Sequence, residues 1–224
     1  MLKNKLASEE EIMSLFFDGM TLAVGGFGST GAPRQLIELV IKSGVKDITL
    51  ISNDAGDRDV AQGRFYTAGI VKHAIHSHVG LNPDFSRMAQ EGKFTYELFP
   101  QGNLVEKIRC GGIGAGGILL DTGLNTDPMI EEGKTKITLH GKEWLIEEPI
   151  RADIALVRAR KADYFGNMTY RGVQANYNPV IAMCGDITIC EADMICEIEE
   201  IPMDEVKTPG VFVDYVLNTQ RRYI

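Results

Sequence analysis

Along the first hundred residues, apolar positions recur alternately with helical spacing and in short strand-length runs. Ile12, Leu15 and Phe16 share one helical face. Ser8 stands where a cap belongs, Glu11 three residues later completes a capping box, and Asp18-Gly19 ends the helix. Thr21-Leu22-Ala23-Val24 then reads as a buried strand that passes directly into a glycine-rich loop. A second helix is predicted from Pro33, a residue suited to a first helical turn. Leu36, Ile37, Leu39, Val40 and Ile41 face inward from it and Gly44 is its stop. The same unit repeats with strands over 47–52 and 70–79 and a helix over 85–90 opened by Asn82. A strand over 94–99 breaks at Pro100-Gln101-Gly102, before a helix capped by Asn103 with Glu106 three residues on.

Strands alternating with helices predict a Rossmann-like α/β fold, a mainly parallel open sheet with helices on both faces. Ligands of such sheets bind beyond the carboxyl ends of the strands. Three loops qualify: 25–31, Ser52-Asn53-Asp54 and Pro100-Gln101-Gly102. The glycine-dense stretch 111–117 is expected as a mobile or close-packed loop. Segments 136–140 and 142–147 flank Gly141 as a hairpin, a small excursion over about 134–148. Strands over 152–158 and 186–191 rejoin the sheet, and 209–214 is expected as a last edge strand. The 224 residues are expected to form one domain.

Charge narrows the partners. A formal net charge of -8 argues against nucleic acid and anionic membranes, both polyanions, but leaves room for a small anion at a local site. No run approaches the roughly 18 apolar residues of a membrane span, and the N-terminal segment lacks a secretory apolar core. Cys110, Cys184, Cys190 and Cys196 form no Cys-x-x-Cys pair and read as buried thiols, so a cytoplasmic location is expected.

The strongest chemical signal is the loop after the first apolar strand. Gly26, Gly28 and Gly31 satisfy G-x-G-x-x-G between a strand and a helix, and Asp54 lies about twenty residues further on. Backbone N–H groups there, helped by the helix N-terminus, would suit a phosphate, a carboxylate or a developing oxyanion. A tight crossover without ligand satisfies the same pattern. Residues 111–117 lack the Gly-Lys-Ser/Thr ending of a phosphate loop, and Arg221-Arg222 is too short for a phosphate patch. Alternation along a strand places His76 and His78 on one face and His73 on the other, so no metal site is expected. Asn176, Asn178 and Pro179 read as turn residues.

The wider string around the loop is Asp18-Gly19-x-x-Leu22-Ala23-Val24-Gly25-Gly26-Phe27-x-x-x-Gly31-x-Pro33. It resembles, without mismatch, the N-terminal signature of the family I CoA-transferases. Ser52-Asn53-Asp54-Ala55-Gly56, Ser77-His78-Val79-Gly80-Leu81-Asn82 and Glu97-Leu98-Phe99-Pro100-Gln101-Gly102-Asn103-Leu104 are similar to further blocks of that family's A-type subunits. So are Ala152-Asp153-Ile154-Ala155-Leu156-Val157-Arg158, Gly166-Asn167, Asn176-Tyr177-Asn178-Pro179 and Thr208-Pro209-Gly210-Val211-Phe212-Val213-Asp214.

The resemblance implies exchange of CoA between a short-chain acyl-CoA and a carboxylic acid such as acetate, butyrate or acetoacetate. Coenzyme A would be a substrate, with no permanently bound cofactor. The reaction would run through a glutamyl-CoA thioester on a B-type partner, in an assembly of two A and two B chains. The family's nucleophile sits in an S-E-N-G-like segment absent here, so no catalytic nucleophile is expected in this chain. By matching position, Gly25, Gly26, Phe27, Gly28, Ser29, Thr30 and Gly31 would form the CoA loop. Gln101, Asn53 and Asp54 would position substrate, although the family often has a second Asn at position 54, and an unpaired acid there would repel an anion. Two other readings stay open: an NAD-dependent oxidoreductase using Gly26, Gly28, Gly31 and Asp54, and a non-catalytic acyl-CoA-binding domain.

Overall fold

The computed structural model describes residues 4–126 and 131–218. The tail arginines Arg221 and Arg222 lie outside the described residues. In chain order the first elements are β1 (Leu6–Ala7), α1 (Glu9–Met13), β2 (Thr21–Val24), α2 (Arg34–Ser43), β3 (Ile48–Ser52), α3 (Gly63–Thr67), β4 (Val71–His76), α4 (Phe85–Gln90) and β5 (Thr95–Leu98). Then come α5 (Gln101–Ile113), β6 (Ile118–Leu120), β7 (Lys136–Leu139), β8 (Lys142–Glu147), β9 (Ala152–Asp163) and β10 (Met168–Thr169). The last are α6 (Asn178–Cys184), β11 (Gly185–Cys196) and β12 (Tyr215–Leu217).

One sheet dominates, in the order β1-β12-β11-β9-β2-β3-β4-β5 with all neighbours parallel; β10 adds to β9 antiparallel. Each strand of its centre feeds two cores because successive side chains point to opposite faces. Leu22, Val24, Leu50 and Leu156 meet the side covered by α1 to α4, through Ile12, Leu36, Phe65 and Phe85. Ala23, Ile51, Ala155 and Val157 meet the other side, covered by Leu104 and Ile108 of α5 and Ile181 of α6. The small residues on that second face let α5 and α6 lie close to the strands. This is the expected open, mainly parallel α/β architecture.

The chain builds outward from β2 through β3, β4 and β5, then returns to β2's other side and builds the opposite way through β9, β11 and β12. The gap between β2 and β9 is therefore the topological switch point, where an open parallel sheet leaves a crevice at its carboxyl edge. The glycine loop leaves β2 at that point, and Gly25 N–H bonds the carbonyl of Leu156 in β9.

The cap of α1 is as expected, and several other local expectations need correction. Ser8 caps α1 by accepting from Glu11 N–H at 3.2 Å. The excursion is a three-stranded antiparallel sheet, β6-β8-β7, and not only a hairpin. Helix α5 starts at Gln101, two residues before the predicted cap, and runs through Gly111 and Gly112 to Ile113. Those glycines serve close packing: a Cβ on Gly111 would stand 1.9 Å from the Ile150 carbonyl oxygen, and one on Gly112 would stand 2.5 Å from Met183 Cβ. Asn103 is buried inside the helix, where it bonds Glu147. The expected edge strand over 209–214 is a 3-10 turn, Gly210–Phe212, and β12 follows it inside the sheet between β11 and β1. Helices α3 and α6 and strand β1 have no counterpart in the predicted pattern.

The helical glycines generate a paired expectation. Gly111→Ala should destabilise the protein by about 2 kcal/mol or more through overpacking against Ile150. Gly102→Ala, whose Cβ meets nothing within 4 Å, should be neutral or stabilising by roughly 0.5–1 kcal/mol. Urea unfolding of the two variants checks the contrast; equal midpoints would mean that Gly111 is not in tight contact.

Candidate functional site

At the switch point, a buried carboxylate joins two loops. Asp54 follows β3 and is fully buried. Its Oδ2 accepts from Gly28 N–H at 2.7 Å and from Asn53 Nδ2 at 2.7 Å, and its Oδ1 accepts from Gly56 N–H at 2.8 Å. The acid is thus buried and paired with three donors inside the protein. Asn53, 1% exposed, turns its Oδ1 toward Gln101 Nε2 at 2.7 Å and Ser77 Oγ at 3.0 Å. Gln101, on the first turn of α5, is exposed. An amide nitrogen carries two donors, so the bond to Asn53 leaves Gln101 one further N–H to offer.

The glycine loop is largely turned inward. Phe27 and Thr30 exchange backbone bonds at 3.0 Å, Gly25 donates to Leu156, and Gly28 donates to Asp54. Among the described residues this leaves the N–H groups of Gly26, Ser29 and Gly31 without an internal acceptor. Asn178 braces the loop from the far side. It donates through Nδ2 to the Gly31 and Gln174 carbonyls and accepts from Arg158 N–H at 2.9 Å. Only glycine fits at position 25, because a Cβ there would stand 2.1 Å from Asn178 Oδ1. Asn176 adds a bond to the Thr30 carbonyl at 3.0 Å. Local sequence marks Asn176 and Asn178 only as turn residues, and nothing in their spacing reveals the contact across some 150 residues of chain.

The N-terminus of α2 is also taken. Glu191 of β11 accepts from Gln35 N–H at 2.7 Å and Leu36 N–H at 3.1 Å. Burial pushes its carboxyl above the usual range, against the pull of those N–H groups and of Arg158. The two features on which a dinucleotide reading rests, a free helix N-terminus and a free acid at position 54, are therefore both engaged inside the protein.

Between α5, α6 and Phe27 lies a cavity of about 510 Å³. Phe27, Val105, Tyr177, Pro179 and Val180 give it apolar walls, and Gln101, Asn176 and Glu106 supply its polar groups. Phe27 is 48% exposed there, so the loop presents an apolar side chain rather than a charge. Tyr177 is buried, and burial lifts its phenol to about 12. Gln101 and Phe27 are thus the expected site residues that reach the cavity; Asn53 and Asp54 stand behind them.

Among the described residues, the buried carboxylates around this region are committed. Glu147 accepts from Asn103 Nδ2 at 2.9 Å, Lys134 Nζ at 2.6 Å and Lys107 Nζ at 3.3 Å. Burial pushes its pKa up, but those donors outweigh it and hold the carboxyl below the usual range. Asp163 accepts from the Phe165 and Asn167 N–H groups at 2.9 Å. In the cavity wall, Glu106 pairs with Arg109 at 2.6 Å.

Under the Ser52 loop, His76 is fully buried, with Nε2 2.5 Å from Tyr66 Oη and Nδ1 within 3.2 Å of both Ser52 Oγ and the Ser52 carbonyl. His73 instead bonds Thr95 and Glu97 at the sheet edge. Both rings are engaged within the protein, apart from each other. Burial pulls His76 down to about 4. A histidine held neutral in the fold costs nothing above its unfolded value near 6.5; below that, the unfolded chain gains the proton first. Stability should therefore fall as pH drops from about 6.5 to about 4, by on the order of 3 kcal/mol. Urea unfolding across that window, wild type against His76→Gln, checks it. The account of His76 fails if the two pH slopes coincide.

Comparison with known proteins adds the following. The family described as Coenzyme A transferase matches residues 6–219. The chain is 44% identical to the acetate CoA-transferase subunit alpha of Escherichia coli K12, over 98% of this chain and 99% of that protein. It is 39% identical to the acetoacetyl-CoA:acetate/butyrate CoA transferase alpha subunit of Clostridium acetobutylicum, over 96% and 98%. Among solved structures, an acyl-CoA transferase from E. coli O157:H7, a thioester complex with CoA, superposes with a TM-score of 0.86 at 26% identity. That superposition covers 96% of this chain and 47% of the other, so the chain spans about half the length of that structure.

Proposed function

The chain belongs to the coenzyme A transferase family, as an enzyme subunit of the alpha or A type, and we propose that it forms the nucleophile-free wall of an active site shared with a B-type chain. The carrying observation is the pinned amide of Gln101 at the mouth of an apolar cavity whose surrounding acids, among the described residues, are bonded internally. Such a wall can orient a carboxylate or stabilise an oxyanion, and it has nothing free to attack a thioester.

In this reading a glutamate of the B-type chain attacks the acyl-CoA carbonyl, forming an acyl-glutamyl anhydride and releasing CoA thiolate. The thiolate attacks the glutamyl carbonyl, giving a glutamyl-CoA thioester and the free acid. A second acid reverses both steps and leaves as its CoA ester. The energy of the thioester bond is kept in the enzyme-bound anhydride and then in the glutamyl-CoA thioester, which requires water to be kept out. Gln101 donates its remaining N–H to the substrate oxygen, Asn53 fixes that amide, and Asp54 fixes Asn53. Gly25, Gly26, Phe27, Gly28, Ser29, Thr30 and Gly31 border the CoA thioester end. Phe27 supplies the contact surface, and the free N–H groups of Gly26, Ser29 and Gly31 are its polar donors. No resident cofactor or metal is needed for this chemistry.

The full 224 residues act as one unit in a cytoplasmic assembly of two A and two B chains, exchanging CoA among short acids such as acetate, butyrate and acetoacetate. The half-length match to a longer acyl-CoA transferase supports a second half of similar size, here a separate chain. The relatives' names, each an alpha subunit, support the same division.

Removing the pinned amide tests the assignment. Gln101→Ala, purified with its B-type partner, should lose about 100-fold in kcat, the range for deleting one oxyanion donor, while the complex elutes unchanged. Wild-type turnover in an intact complex would place Gln101 outside the site.

A further inference from the structure

We infer that the cavity between α5 and α6 is the acyl-chain pocket and that it selects monocarboxylic acids, rejecting acids with a second carboxylate. The inference rests on the CoA-transferase reading and names the substrate class for that same site. With Gln101 holding the reacting carboxyl at the mouth, the rest of the acid extends along Phe27, Val105, Tyr177 and Val180. An alkyl or 3-oxoalkyl chain is at home against that surface, and about 510 Å³ is ample room for it.

A second carboxylate would meet the wrong chemistry. Among the described residues, the one charged side chain lining the cavity is Glu106, itself a carboxylate. The cations on α5 are already committed: Arg109 to Glu106 at 2.6 Å and Lys107 to Glu147 at 3.3 Å. Polar partners are Asn176 and the phenol of Tyr177, and Asn176 spends its amide nitrogen on the Thr30 and Val173 carbonyls. An ionised group moved there from water loses its hydration without gaining a counter-charge, a cost that a methyl group does not meet. Specificity of this kind comes from what the pocket refuses rather than from extra contacts with the acid it accepts.

Position 102 offers a clean way to reverse the charge rule. Gly102 lines the cavity on the first turn of α5, and a Cβ there would touch nothing within 4 Å. Gly102→Lys therefore introduces a cation without a clash at its first atom.

The experiment is a CoA-exchange assay on the purified complex with its B-type chain. Acetyl-CoA is the donor, butyrate and acetoacetate are the monocarboxylate acceptors, and succinate and glutarate are the dicarboxylate acceptors. The expected wild-type result is a kcat/KM for butyrate at least about 100-fold above that for succinate or glutarate, the scale of discrimination by unmatched polar groups. Gly102→Lys should narrow that ratio by about tenfold or more, through a rise in the dicarboxylate values, with circular dichroism confirming the fold. Wild-type exchange with succinate as fast as with butyrate overturns the inference while leaving the CoA-transferase reading intact. A strong monocarboxylate preference that Gly102→Lys does not shift overturns the assignment of selectivity to this cavity. Absence of exchange with every acid overturns the functional reading itself, and the inference falls with it.

Discussion

The site depends on one acceptor-only group. A carboxylate can only receive hydrogen bonds, so Asp54 dictates which way its neighbours turn. Asn53 must present its nitrogen to Asp54, which leaves its oxygen for Gln101 and Ser77. Gln101 must in turn present nitrogen to Asn53. Two side-chain amides, each able to flip at little intrinsic cost, are thereby given a fixed polarity over three residues. The same carboxylate holds Gly28 and Gly56, so the order of the amides and the shape of the glycine loop have a common origin. The charge is buried, but three donors replace its hydration, which makes such a burial tolerable.

The glycine loop accordingly serves as scaffold more than as cradle. Four of its N–H groups, those of Gly25, Phe27, Gly28 and Thr30, close on the protein. Glu191 supplies from within the negative charge that the start of α2 attracts, and Asn178 wedges against Gly25. A G-x-G-x-x-G string at a strand-to-helix turn is compatible with a dinucleotide, but here the anion sites it promises are filled by side chains of the same chain. What the loop presents outward is Phe27, beside the Gln101 amide and the cavity. That combination suits a thioester and a small acid better than a pyrophosphate.

Much of this was legible in the sequence because it is local. The strand-loop-helix unit at 21–43, the strand at 48–52, the open parallel sheet and the three carboxyl-end loops follow from short apolar runs and their stops. The paired Asn53 and Gln101 were legible as a pair through the family-like blocks, although only the fold brings them to 2.7 Å. What stayed hidden is long-range. Glycines at 111 and 112 look like helix breakers until Ile150 and Met183 are seen against them. Residues 209–214 look like a strand, but the pairing that decides it lies with β11 and β1, far away in sequence. Asn178 carries a turn residue's local signature while bonding to Gly31 and Arg158, and no periodicity announces that. Asp54 was ambiguous for a related reason: Asn53 and Gly56 are its neighbours in sequence, but the donor that ties it to the glycine loop, Gly28, is brought to it by the fold.

In the proposed reading, a wall bonded to itself in this way leaves the covalent step to a B-type chain. Intact-mass spectrometry of both subunits, after incubating the complex with acyl-CoA and quenching in acid, tests that division of labour most directly. The account predicts that the B-type chain gains the mass of a CoA thioester and that this chain keeps its unmodified mass. A CoA adduct on this chain would contradict it.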